Sequence, residues 1–216
     1  MKKAVIFDLD GTLTDTITAI SHFGNLALGE NDLPPIEKDV YKYLVGNGRD
    51  NLIHRMLKEC NADTEENFIK VGTVYDKYYE ADPLYKTDAY DGIREAILEM
   101  RSRGIKTAVC SNKPDNVAQD VIAKIFGSGY FDFVCGERSG VPIKPDAAPA
   151  LLVAKELGLT PDECIFTGDT KVDMSTAKNA NMTAIGVLWG FRDYDELKNS
   201  GADFIIKHPS EYKKFI

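Results

Sequence analysis

The sequence predicts an α/β fold: a doubly wound parallel sheet with an all-helical segment inserted into it. Three observations carry this. Short β-branched apolar runs alternate with amphipathic helical patterns along most of the 216 residues. The alternation stops between about residues 16 and 86, where helical patterns follow one another. Residues able to do chemistry gather where strands end, the place where open α/β sheets bind ligands.

The first strand is Ala-Val-Ile-Phe at 4–7, apolar throughout as in a strand covered on both faces. Beyond it, Ile17, Ile20, Gly24 and Leu28 form one stripe of a helix that stops at Gly29. Further helical patterns cover 51–60 and 65–79, with Pro34, Pro35 and Pro83 as punctuation. Strands resume at 106–110, 131–135, 164–167, 183–188 and 204–206. Between them lie helices such as 92–103, where Ile93, Ala96, Ile97 and Met100 share one face and Gly104 supplies the stop. The expected division is a core of 1–15 plus 87–216 and a helical cap of 16–86.

Composition narrows the function. Hydrophobic residues make up 44% and charged residues 28%, as in a globular protein rather than a disordered or fibrous one. The formal charge of −8 argues against nucleic acid and against an anionic membrane surface as partners. At face value it argues against an anionic substrate too. No apolar run approaches the roughly 20 residues of a membrane span. Asp8 and Asp10 interrupt the N-terminal run too early for a signal peptide. Cys60, Cys110, Cys135 and Cys164 are widely separated and read as reduced cysteines of a cytoplasmic protein.

The first strand runs into Asp8-Leu9-Asp10-Gly11-Thr12. In extended backbone Asp8 and Asp10 point to one side. Two carboxylates so close repel unless a cation or a proton sits between them. Gly11 allows a sharp exit, beyond which N–H groups could hold an anion. The strand at 106–110 leads into Ser111-Asn112, where a hydroxyl and an N–H suit a phosphate oxygen. Lys144 precedes a further helix. Asp169 and Asp173 follow the strand at 164–167 and are hard oxygen ligands suited to Mg²⁺. Singly, these residues also fit turns, helix caps or solvated charges. Their joint order decides.

That order, D-x-D-G-T, S-N, K-P and G-D-T-x-x-D, resembles the haloacid dehalogenase superfamily over essentially the whole chain. The resemblance implies a Rossmann-like core with a helical cap, and a Mg²⁺-dependent phosphatase acting on a small phosphorylated metabolite. It implies Asp8 as the nucleophile, and Asp10 as general acid and then base, with its main-chain carbonyl on the metal. Asp169 matches the side-chain metal ligand, with Asp173 a ligand or a support. Ser111 matches the residue that hydrogen-bonds the phosphoryl group, and Lys144 the cation that balances charge there. Thr12 and Asn112 are expected beside the substrate. Within the resemblance, Asp at position 10 favours phosphate esters, since dehalogenases carry Tyr there and phosphonatases a small residue.

The cap loop Val45-Gly46-Asn47-Gly48-Arg49 resembles that of the phosphoglycolate phosphatase-like subgroup, as does the stretch 186–191. Gly46, Asn47, Gly48 and Arg49 are therefore expected near the leaving group, with Arg49 either on a substrate carboxylate or exposed. Tyr75, Tyr78 and Tyr79 read as cap packing rather than ligand stacking. His22 lies two residues from the histidine of β-phosphoglucomutase-like members, about 200° around a helix, which counts against a mutase. A phosphosugar mutase, a pyrophosphatase, a nucleotide phosphatase and a receiver-like phosphorylatable switch stay open, as do monomer and homodimer. The charge argument narrows as well. With Mg²⁺ and Lys144 an acidic protein can hold one phosphate, so −8 speaks against polyanions alone.

Overall fold

The computed structural model describes residues 2–216. Its strands are β1 (Ala4–Phe7), β2 (Thr14–Asp15), β3 (Asp88–Ala89), β4 (Lys106–Pro114), β5 (Phe133–Glu137), β6 (Cys164–Gly168), β7 (Thr183–Val187) and β8 (Phe204–Ile206). Its α-helices are α1 (Ile17–Gly29), α2 (Lys38–Leu44), α3 (Arg49–Glu59), α4 (Glu65–Ala81), α5 (Ile93–Ser102), α6 (Asp115–Ile125), α7 (Ala148–Glu156), α8 (Lys171–Asn179) and α9 (Tyr194–Asn199).

Six strands form one parallel sheet in the order β5-β4-β1-β6-β7-β8. β1 sits in the middle, with Ala4 opposite Lys106 of β4 on one side and Cys164 of β6 on the other. Winding runs outward in both directions from β1, so a crevice opens beyond the carboxyl ends of β1 and β6.

β1 is apolar at every position because helices cover both faces of the sheet. Val5 and Phe7 join Ile93 and Ile97 of α5 and Val121 of α6 in one buried cluster. Ala4 and Ile6 join Val153 of α7 and Met174 of α8 in the other. Each fully buried Val, Ile or Phe contributes about 1.5–3 kcal/mol. The first cluster continues into the inserted helices through Ile17 and Phe23 of α1, Met56 of α3 and Val71 of α4. Within the insert α1 packs on α2 and α4, and α3 packs on both as well.

β2 and β3 pair antiparallel, Thr14 with Ala89 and Asp15 with Asp88. The chain thus enters and leaves the inserted helices through one two-stranded ribbon. Neither this ribbon nor α2 is foreseen in the sequence. α2 buries only Tyr41 and Leu44, and two-residue strands have no period to detect. The strand expected at 106–110 extends to Pro114, with a register irregularity between Cys110 and Pro114. Among the described residues no helix is long and apolar enough to cross a membrane. All four cysteines are free, three of them buried.

Candidate active site

The crevice brings together residues far apart in the chain. Asp8 follows β1, Asp169 follows β6, and Asp173 lies in the first turn of α8. Oxygens of these three buried carboxylates lie within 4.8 Å of one another. Lys144, between β5 and α7, sends its ammonium among them, with Nζ 2.9 Å from Asp8 Oδ1 and 2.7 Å from Asp173 Oδ1. Its side chain is 1% exposed, so it is no solvated surface charge.

Each carboxylate is held by further donors. Asp8 Oδ1 accepts from Leu9 N at 2.7 Å, while among the described residues no hydrogen bond reaches Asp8 Oδ2. Asp169 accepts from Thr12 Oγ1 at 3.0 Å and from Phe191 N at 2.7 Å. Asp173 Oδ2 accepts from Thr170 N at 3.1 Å and Thr170 Oγ1 at 2.8 Å, the capping box of α8.

Three buried carboxylates against one ammonium leave an excess of negative charge. Burial pushes Asp8 up to about 7, the nearby Asp173 carboxylate adding to the rise and Lys144 opposing it. Burial, with Asp173 and Asp8 close by, lifts Asp169 well above the carboxylate range. For Lys144 burial works against the charge, but Asp173 and Asp8 outweigh it and raise the ammonium above its ordinary value. Clustered carboxylate oxygens that outnumber the local positive charge are the donor set of a hard divalent cation. The residues present therefore fit Mg²⁺.

Asp10 turns its carboxylate away from this cluster. Lys113 Nζ donates to Asp10 Oδ1 and Oδ2, both at 2.9 Å, and to Tyr79 Oη at 2.8 Å. Asp8, Asp10, Ser111 and Lys113 line one side of a cleft of about 80 Å³, and Tyr75 and Tyr79 of α4 line the other. Contacts between sheet and insert close it. Asn112 Nδ2 donates to Gly46 O at 3.2 Å. Arg192, after β7, donates to the carbonyls of Lys42 and Val45 at the end of α2, where helix carbonyls concentrate negative charge.

Of the residues expected from sequence, Asp8, Asp10, Ser111, Asn112, Gly46, Gly48 and Arg49 line this cleft. Asp169, Asp173 and Lys144 form the buried cluster at its floor with Asp8. Four of the expected side chains already have partners within the protein. Thr12 is fully buried and gives its hydroxyl to Asp169. Asn112 gives its amide to the Lys144 main chain, Oδ1 accepting from N at 2.8 Å and Nδ2 donating to O at 2.9 Å. Asn47 lies outside the cleft, its Oδ1 accepting from Arg55 at 2.7 Å. Arg49 already pairs with Asp76 at 2.9 and 2.6 Å and with Asp50 at 2.9 Å, so its charge is matched within the insert.

The tyrosines divide. Tyr75 and Tyr79 both pack in the core cluster and face the cleft, whereas Tyr78 Oη donates to Glu30 at 2.6 Å away from it. His22 is exposed and stacks on Tyr85. Sequence reasoning passed over Lys113, which lines the cleft and binds Asp10. The register irregularity between Cys110 and Pro114 breaks the side-chain alternation that would have placed it beside Ser111.

A doubly wound sheet with a carboxylate–lysine cluster at its switch point, closed over by inserted helices, defines a hydrolytic enzyme of the capped type. The haloacid dehalogenase-like hydrolases match residues 5–187, and the chain belongs to that family. It is 29% identical over 214 residues to a phosphoglycolate phosphatase of Aquifex aeolicus, covering 99% of this chain and 96% of that one. A phosphoglycolate phosphatase of Rhodospirillum rubrum is 31% identical over 199 residues, 88% of this chain and 81% of its own. The crystal structure of a candidate phosphoglycolate phosphatase from Lactobacillus delbrueckii superposes with a TM-score of 0.95 at 31% identity, covering 99% of this chain and 98% of that one. The chain is an enzyme of the phosphatase kind.

Proposed function

We propose that this enzyme is a Mg²⁺-dependent phosphatase that hydrolyses a small phosphate monoester, phosphoglycolate or a close relative, through an aspartyl-phosphate. The observation that carries the reading is the Lys144 ammonium between Asp8 and Asp173, beside Asp169 and at the floor of the cleft that Asp10 lines.

Asp8 is the nucleophile. Its oxygen attacks phosphorus as the ester P–O bond breaks, and the departing oxygen takes a proton from Asp10. Water then attacks the same phosphorus and gives its proton to the Asp10 carboxylate. The P–O bond to Asp8 breaks, which frees phosphate and returns both aspartates to their starting forms. Ser111 donates its hydroxyl to a phosphoryl oxygen, and Lys144 neutralises charge at Asp8. Asp8, Asp169 and the Asp10 main-chain carbonyl would hold Mg²⁺, with Asp173 bracing Lys144, and the bound ion would supply positive charge to offset the repulsion between a carboxylate and a phosphate dianion.

Residues 16–86 act as a cap over a core of 1–15 and 87–216. The cap closes to exclude water and reopens to release product, bringing Gly46 and Gly48 near the leaving group. The small volume of the cleft and the relatives that bear the name phosphoglycolate phosphatase support a small ester as substrate. The free cysteines fit a reducing cytoplasm.

The test is a phosphate-release screen over phosphoglycolate, other small esters, pyrophosphate, nucleotides and hexose phosphates, with and without Mg²⁺. The expected result is Mg²⁺-dependent release, fastest from phosphoglycolate or an ester of similar size. Interconversion of sugar phosphates without phosphate release identifies a mutase instead. A long-lived phosphorylated protein identifies a receiver-like switch.

A further inference from the structure

Lys113 has no part in the scheme above, yet it is among the most constrained cations in the molecule. Its side chain is 5% exposed, and a buried ammonium is costly unless its donors are matched. All three N–H groups are. Two go to the two oxygens of Asp10 at equal distances of 2.9 Å, and one goes to Tyr79 Oη at 2.8 Å. The ammonium also lies 4.9 Å from the centre of the Tyr79 ring. Burial lifts the Tyr79 phenol well above its ordinary value, so it stays neutral and competes with Asp10 for no charge.

The three residues come from three places: Asp10 from the loop after β1, Lys113 from the end of β4, and Tyr79 from α4 of the insert. A single ammonium at equal distances from both carboxylate oxygens fixes the direction in which the Asp10 carboxylate faces. Tyr79 then fixes where that ammonium stands. The full set exists only when α4 rests against the end of β4.

We propose that Lys113 is the positioning residue that aims Asp10 into the cleft, with Tyr79 tying that aim to closure of the inserted helices. The inference rests on the reading of Asp10 as the group that protonates the leaving oxygen. Lys113 acts through Asp10, so its loss harms only those substrates whose leaving oxygen needs a proton.

The test compares kcat/KM, which covers the steps through departure of the leaving group, for two esters. One is phosphoglycolate or whichever alkyl phosphate the screen finds; the other is p-nitrophenyl phosphate, whose phenolate departs without a proton. Lys113→Met should lose about 100-fold on the alkyl ester and little on the aryl ester. Tyr79→Phe, which keeps the Lys113–Asp10 pair, should show the same selectivity at about threefold, and keeps the proposal testable if the lysine variant does not fold. Adding Lys113→Met to Asp10→Asn should cost nothing further. Equal losses on both esters, or none on either, would overturn the inference. A selective Asp10→Asn beside an unselective Lys113→Met defeats this inference alone. An unselective Asp10→Asn defeats the acid assignment, and this inference with it.

Discussion

Asn112 and Lys144 are joined amide to backbone, so a side chain 32 positions earlier sets where the buried ammonium stands. The same Asn112 amide also reaches Gly46 in the inserted helices. Asn112→Ala leaves the Lys144 N–H and carbonyl without partners at a buried position, at a cost of about 1–3 kcal/mol for each group. We expect a lower melting temperature and a lower kcat with little change in KM. An unchanged kcat in a folded variant would show that the amide does not position Lys144.

Removing the ammonium itself should be harsher. Lys144→Met leaves Asp8 and Asp173 facing each other without the cation that separates them. Breaking a buried pair by deleting one partner costs about 3–5 kcal/mol. Thermal melts should register that loss, and phosphate release should vanish. Added Mg²⁺ should restore part of the stability and none of the activity. A variant as stable as the parent without metal would contradict the ion-pair account.

Metal and protons should compete for the same carboxylates. Without metal, burial and the neighbouring Asp173 push Asp8 up to about 7, above the ordinary value of 3.8. The folded state therefore binds this proton more tightly than the unfolded chain does. The stability contributed by protonation is full below about 3.8 and is lost as pH rises through about 7. Asp8→Asn removes the charge outright, so the metal-free variant should melt above the metal-free parent near pH 8 and lose that advantage toward pH 4. Mg²⁺ should raise the parent's melting temperature near pH 8 and much less near pH 5. The same Asp8→Asn protein should release no phosphate. Paired melts in EDTA and in Mg²⁺ across this range check the sign, and a parent more stable than the variant near pH 8 without metal reverses it.

Gly190 lies against Asp169. A Cβ there would overlap Asp169 Cβ and the Gly11 carbonyl, neither of which is a flexible end that can swing aside. Gly190→Ala should displace Asp169 and disturb the bond it accepts from Phe191 N. Changes of this kind around a metal ligand typically cost 10–100-fold in affinity. The Mg²⁺ concentration for half-maximal activity should rise by about that factor, while kcat at saturating metal falls less. Unchanged metal dependence would place the ion elsewhere.

Asp8 and Asp169 were legible in the sequence because each follows a recognisable strand, and the sheet's winding gathers strand ends at one crevice. Lys144, in the loop before α7, was legible only through the joint order of the motifs. The inserted helices were legible as a break in alternation. Partners supplied from across the fold were not. Arg49 looks like a cation looking for an anion until Asp76, 27 residues away on the next helix, is seen to match it. Thr12 looks like a phosphate donor until Asp169, 157 residues away, takes its hydroxyl. Lys113 was hidden twice: its partners Asp10 and Tyr79 lie 103 and 34 residues away, and the β4 register shifts where it sits. Residue type and strand position specify what a side chain can do, and only tertiary pairing specifies whether that capacity is already occupied.

The pairing of Thr14 with Ala89 and Asp15 with Asp88 has a topological consequence. The two points where the chain departs from and rejoins the sheet are neighbours, so the parallel strands meet the insert as a side branch hung from one stem. A graft that replaces everything beyond that stem with another folded segment, or with a short turn, need not lengthen, twist or re-register any of the six parallel strands. Evolution and the protein engineer are offered the same exchangeable socket: the carboxylate–lysine floor stays in place, and what hangs above it is open to change.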